Sequence, residues 1–215
     1  MSDNTTTLFK LLSALFEYPD QAMLQAVPEL MTIIGEDAAI APDERQAIAA
    51  FAGWLADGDL TEAQASYVKT FDMTPEHALH LTHHLFGDDK NRGPALIDLG
   101  EYYKSYGLEL GTNELPDYLP LVLEFASMLE PVEAKVFLDP FAKAIAQLGA
   151  NLDAAKSPWA PLVRLVEAHA RLVPSTFVPA AQPITDTVCN DDDCETPVTW
   201  GDATPPAVQP VAAAH

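Results

Sequence analysis

Four imidazoles fall between positions 77 and 84, at His77, His80, His83 and His84. On a helix His80 and His84 stand one turn apart and His77 lies beside His80, so two or three rings would share a face. A transition metal would want that face and also a carboxylate or thiolate from another element. The HExxH pattern is absent, because Leu81, Thr82 and His83 fill the interval. The expectation is therefore an amphipathic helix with a polar histidine edge, and no metal. Cys189 and Cys194 are the only thiols; four residues separate them and no second ligand pair follows. That spacing is weak as a metal signature and reads as two free thiols. The chain also lacks GxSxG, a Walker loop and GxGxxG, so neither nucleophilic catalysis nor a bound cofactor is expected. The reading is of a protein that is not an enzyme.

A third set of reactive groups heads a very apolar segment, NELPDYLPLVLEFASML at 113–129. Asp117 is placed to cap the following helix through the Leu119 amide, and Pro120 fits the first turn, where its missing donor is harmless. Beyond the cap, Leu121, Phe125 and Met128 form one stripe, with Val122, Ala126 and Leu129 beside it. Glu124 follows Asp117 by two turns on the same face. A carboxylate among apolar neighbours is costly unless it meets a cation. An apolar groove edged by acids suits a basic amphipathic helix. The candidate peptide-binding residues are Glu114, Pro116, Asp117, Tyr118, Leu121, Glu124 and Phe125.

The bulk properties agree with a binding protein of that kind. The formal net charge of −21 over 215 residues would repel phosphate backbones and anionic lipid, and favours solubility or a basic partner. The N-terminus, MSDNTTTLFKLLSALFEYPD, lacks a basic start and a small-residue cleavage site, and Lys10 splits its apolar run. It reads as a first helix and not a signal peptide. No apolar run approaches the roughly 20 residues needed to span a bilayer. A cytoplasmic, reduced protein is expected.

Helix punctuation positions these groups. Leu8, Leu11, Leu12, Leu15 and Phe16 keep a helical period up to Tyr18-Pro19. A second helix starts near Asp20 and should break or kink at Pro28. The third starts at Pro42 and stops at Gly58; the fourth follows with Thr61 as cap. Thr74-Pro75 opens a helix that closes at Gly87. Another spans about 91–106, with Leu96, Leu99, Tyr103 and Tyr106 on one stripe. After the 113–129 segment, helices run over about 131–148, divided or kinked at Pro140, and 158–172. No strand pattern and no fixed repeat is found, so the fold expected is an all-α bundle of eight or nine helices. From 174 to 215 prolines recur at short intervals, with six acidic residues and no Lys or Arg. That composition cannot offset its ordering entropy, so a 1–173 domain with a disordered acidic tail is expected.

With those residues in view, the chain resembles the NarJ-type nitrate reductase delta subunits, assembly chaperones within the wider group of redox-enzyme maturation chaperones. The resemblance rests on ELPDYLPLVLEF, with LFEYPD at 15–20, YVKTFD at 67–72, HLFGDDKNRGPALIDL at 84–99 and YGLEL at 106–110, in the family's order. It covers about residues 8–130 and extends weakly to 172. It implies an all-α cytoplasmic chaperone, not a catalyst. Such a chaperone binds the basic N-terminal leader of the nitrate reductase catalytic subunit and promotes molybdenum cofactor insertion. The family's Glu-x-Pro-Asp-His core carries over as Glu114, Pro116 and Asp117, but its histidine is Tyr118 here. A titrating imidazole is thereby lost at that position, whereas an aromatic body with a polar tip is kept.

Two other readings stay open: maturation of a related molybdoenzyme, and a metal-binding bundle using His77 to His84. Arg92, in DDKNRGPAL, is expected either to hold the connection before Pro94 by bonding carboxylates or carbonyls, or to touch the client.

One expectation concerns the domain boundary. A chain truncated after 173 should keep the cooperative thermal transition and helical circular dichroism of the whole chain. Loss of the helical signal would place essential packing beyond residue 173.

Overall fold

Burial of the apolar stripe on each helix organises the architecture, which a computed structural model describes for residues 4–36, 40–111 and 114–170. Among these residues there are ten α-helices and no β-strand. In chain order they are α1 (Asn4–Leu15), α2 (Gln21–Glu36), α3 (Pro42–Asp57), α4 (Leu60–Tyr67), α5 (Leu81–Phe86) and α6 (Arg92–Ser105), then α7 (Leu119–Ala126), α8 (Pro131–Leu138), α9 (Ala142–Ala154) and α10 (Ala160–Ala170). The all-α class is as expected. The division at Pro140 falls in a 3₁₀ turn at Asp139–Phe141, which separates α8 from α9 and raises the helix count to ten. The expected tail at 174–215, its two cysteines and the end of the last helix at Leu172 lie outside the described residues.

Several boundaries differ from the sequence expectation, each for a local reason. Helix α2 continues through Pro28 as one helix. Pro28 is exposed, so water can satisfy the carbonyl that its ring leaves without a donor, while Val27 and Ile34 stay buried. Asp59, not Thr61, caps α4: its carboxylate accepts the Thr61 amide hydrogen at 3.0 Å. Ser157 accepts the Trp159 amide at 3.3 Å, and α10 begins only at Ala160. The single helix expected over 74–87 is divided. A 3₁₀ turn at Pro75–His77 is followed by extended backbone and then α5, because residues 79–81 pair with 117–119 instead of coiling.

Two aromatic clusters fill the interior. Trp159, fully buried, stands within 5.0–5.7 Å of the rings of Trp54, Phe71, Phe51 and Tyr67. Around Phe125 gather Tyr102, Tyr103, Tyr106 and Phe137. The first cluster also finishes α1. The last carbonyls of a helix lack intrahelical partners, and here the Trp159 indole donates to Leu15 at 3.2 Å while the Tyr67 hydroxyl donates to Phe16 at 3.0 Å. Helix α1 then packs along α7, where Ser13 donates a buried hydrogen bond to the Pro120 carbonyl at 2.8 Å. No helix among the described residues is long and apolar enough to cross a membrane.

Trp159 thus carries two separable contributions. Trp159→Ala should cost about 3–5 kcal/mol in urea unfolding. Trp159→Phe, which keeps a ring but deletes the donor to Leu15, should cost only about 1–2 kcal/mol. Equal losses in the two variants would mean that the indole hydrogen bond dominates over packing.

Candidate functional site

The segment before α7 is held by a carboxylate that points away from α7. Asp117 is wholly buried, and the capping residue of α7 is Tyr118, whose side chain makes no cap bond. The Leu119 amide, expected to meet Asp117, donates instead to the Leu79 carbonyl at 2.8 Å. With the Leu81 amide donating to the Asp117 carbonyl at 3.0 Å, this makes an isolated antiparallel bridge between His80 and Tyr118. The Asp117 carboxylate then caps the other partner of the bridge. It accepts the Thr82 amide at 3.1 Å and the Thr82 hydroxyl at 2.5 Å, at the start of α5, and the His80 Nδ1–H at 3.2 Å. Arg92 completes the arrangement. Its Nε donates to the Thr82 hydroxyl oxygen at 3.1 Å, and its Nη2 lies 4.0 Å from Asp117.

Burial opposes ionisation of Asp117, but the hydrogen bonds from His80 and Thr82 outweigh it and hold its pKa below the ordinary carboxylate value. The expected cap is therefore corrected: Asp117 caps α5 across the fold. The macrodipole of α5 favours a negative charge at that end.

The histidines are dispersed by the same division. His77 donates from Nδ1 to the Thr70 carbonyl at 3.1 Å, and His84 from Nε2 to the Ala78 carbonyl at 2.7 Å. Burial pushes the His84 pKa down. No group of three or more His, Cys, Asp or Glu among the described residues is arranged to hold a metal. His80 instead brings an imidazole beside Tyr118, with ring centroids 5.5 Å apart.

On the outer side of this junction lies a cleft of about 420 Å³ lined by Glu17, His80, Glu114, Leu115, Tyr118, Leu121 and Glu124. Of the residues expected from the sequence, Glu114, Tyr118, Leu121 and Glu124 meet here. Glu114 curls back so that its carboxylate accepts the Gly111 amide at 3.0 Å. Glu124 pairs with Lys10 of α1, both side chains being largely exposed, at 48% and 62%. Pro116 and Phe125 do not reach the cleft. The Pro116 carbonyl accepts the Tyr103 hydroxyl at 2.8 Å, and Phe125 is 2% exposed within its aromatic cluster.

Glu17, His80 and Leu115 line the cleft without having been among the expected site residues; Glu17, within LFEYPD, adds a third carboxylate. Burial raises its pKa; the Tyr118 hydroxyl, 3.5 Å away, lowers it, and Glu124 and Glu114 raise it further. Three carboxylates thus crowd an opening floored by Leu115, Leu121 and the Tyr118 ring. Such a field attracts a cation with an apolar flank.

Removing the Asp117 charge tests the junction. Asp117→Asn leaves a buried amide hydrogen facing donors, and should cost about 2–4 kcal/mol at neutral pH. Because the folded-state pKa is depressed, the stabilisation is complete above the unfolded carboxylate value of about 3.9 and is lost as pH falls through the folded value. The gap in melting temperature between parent and variant should therefore be wide at pH 7 and narrow as pH falls below the ordinary carboxylate value of about 3.9. A gap that persists unchanged in acid would assign the loss to shape and not charge.

Comparison with known proteins places this architecture. The family model described as "Nitrate reductase delta subunit" matches residues 37–164, more than half of the chain. The "Nitrate reductase molybdenum cofactor assembly chaperone NarJ" of Escherichia coli (strain K12) is 35% identical over 156 residues, 73% of this chain and 66% of that protein. The "Probable nitrate reductase molybdenum cofactor assembly chaperone NarW" of the same strain is 34% identical, over 71% of this chain and 63% of its own length. A probable chaperone NarJ of Bacillus subtilis (strain 168) is 29% identical, over 74% of this chain and 85% of its own. The chain spans just under two thirds of the length of the two E. coli relatives. By the family model, which matches more than half of its length, the chain belongs to the nitrate reductase delta subunit family.

Proposed function

We propose that this chain is a cytoplasmic, non-catalytic assembly chaperone of a respiratory nitrate reductase. It binds the basic N-terminal leader of the catalytic subunit in the cleft beside α7, and by holding the immature enzyme promotes insertion of the molybdenum cofactor. The observation that carries this reading is the clustering of Glu17, Glu114 and Glu124 around the apolar floor of Leu115, Tyr118 and Leu121, in a member of a family whose relatives are named as such chaperones. A helical peptide laid there would bury its apolar face on Leu121 and Leu115 and present cations to the three acids. Within this reading Phe125 and Asp117 support the wall without touching the peptide, since both are buried. Arg92 has the same supporting role, through Thr82.

Glu124 is the cleanest probe, because its charge lies on the rim and its pair with Lys10 is exposed. An exposed pair contributes at most about 1 kcal/mol, so Glu124→Gln should barely move the melting temperature. Calorimetry with a synthetic leader peptide should nonetheless find binding weakened roughly fivefold at low salt, with the loss shrinking as salt rises. Lower stability with unchanged affinity would remove Glu124 from the site. A parent chain that prefers the leader of a different molybdoenzyme would reassign the client and keep the cleft.

A further inference from the structure

Two motifs of the sequence, LFEYPD and YVKTFD, contribute only Glu17 to the cleft, yet they meet in the fold. Beyond the ridge formed by His80 and Tyr118 lies a second cavity of about 290 Å³, lined chiefly by Tyr18, Tyr67, Phe71, Asp72, His80 and Tyr118. Its wall is aromatic. Tyr18 stands edge-on to Tyr67 at 5.4 Å, and Tyr67 to Phe71 at 4.8 Å. Tyr67 and Phe71 are buried, whereas Tyr18 is 46% exposed.

The carboxylate at the rim, Asp72, is exposed, and among the described residues no basic side chain pairs with it. Its position depends on an uncommon backbone. Residues Val68–Asp72 form a π-helical turn, closed by the Met73 amide donating to the Val68 carbonyl at 3.0 Å. In an α-helix residues five apart would point about 140° away from each other. The wider π turn brings Asp72 round to the side of Tyr67, and such turns recur at functional sites.

We infer that this cavity is a cation subsite that receives one arginine side chain of the bound leader. The inference rests on the cleft reading above and specifies part of it. An arginine suits the place better than a lysine. Its planar, weakly hydrated guanidinium can lie on the Tyr18 ring while its fork bonds the Asp72 carboxylate, where an ammonium keeps its water. The cavity and the cleft share His80 and Tyr118, so a peptide lying in the cleft reaches the subsite with a single long side chain. Asp72 is then the group that selects register along the peptide, and Glu17, Glu114 and Glu124 supply the general attraction.

Calorimetry of the full chain against the synthetic N-terminal peptide of the catalytic subunit tests this. Parallel peptides carry citrulline, uncharged but of the same shape, in place of each arginine in turn. Asp72→Asn should weaken the parent peptide about tenfold, and one citrulline peptide should lose a similar factor. That citrulline should cost nothing further in the Asp72→Asn chain, because the two changes remove the same contact. Tyr18→Leu should weaken binding of the peptide and reduce the cost of that citrulline alone. If Asp72→Asn binds the peptide like the parent, or if its effect multiplies with that of every citrulline, the subsite is overturned while the acid-edged cleft stands. If the parent chain does not bind the peptide at all, the cleft reading falls and the subsite with it.

Discussion

A buried carboxylate with three hydrogen bonds, at Asp117, holds together the two segments on which the cleft is built. An isolated charge of this kind would be strongly unfavourable in the interior. Here the donors are the Thr82 amide and hydroxyl at the start of a short helix and an imidazole, with a guanidinium behind Thr82. A helix as short as α5 has little stability of its own. The carboxylate at its N-terminus satisfies donors that the helix cannot, and the His80–Tyr118 bridge fixes its approach. The backbone pairing and the carboxylate cap depend on each other: each brings the other's partners within reach.

The orientation of this junction leaves a division of labour among acids close in sequence. Asp117 turns inward and serves the fold, while Glu114 and Glu124 face the cleft from either side of it. Glu17 reaches them from the end of α1, whose final carbonyls are held by Trp159 and Tyr67. The Tyr118 hydroxyl, 3.1 Å from Tyr67 and 3.5 Å from Glu17, joins the end of α1 to the start of α7. Burial raises its pKa to about 12, so it stays a neutral hydrogen-bonding group at physiological pH. The crowding of like charges around it is tolerated because the cleft is open to water. Closure by a cationic ligand would relieve that repulsion, which is the electrostatic basis of the proposed peptide binding.

Much of this was legible in the sequence. Helical periods and proline–glycine punctuation anticipated the all-α class, the division at Pro140 and the burial of Leu99 and Tyr103, because these follow from contacts within one or two turns. The importance of ELPDYL was also visible, as a concentration of prolines and carboxylates that a simple core helix does not need. Which carboxylate did what was not visible. Local capping rules assign Asp117 to the helix that follows it, since Leu119 is two residues away. The structure assigns it to Thr82, 35 positions earlier, because a bridge that no strand pattern announces brings that amide closer.

The sequence alone therefore determined the all-α class, most of the helices and the acidic character, all properties of local spacing and composition. The tertiary structure decided what those elements do to one another. It divided the 74–87 helix to pair its middle with Tyr118, which gave His77, His80 and His84 separate hydrogen-bond partners where one helical face would have gathered two or three of them. It sank Phe125 into an aromatic cluster and lifted Glu17 into the cleft, choices that depend on which helix packs over which. It also widened the end of α4 into a π turn, which brings Asp72 round to the side of Tyr67 and into the cavity that Tyr18 lines from the segment after α1. Period and propensity report what lies within a turn of a residue. These outcomes were set by partners tens of residues away, whose hydrogen bonds and packing exceed the small local preferences they override.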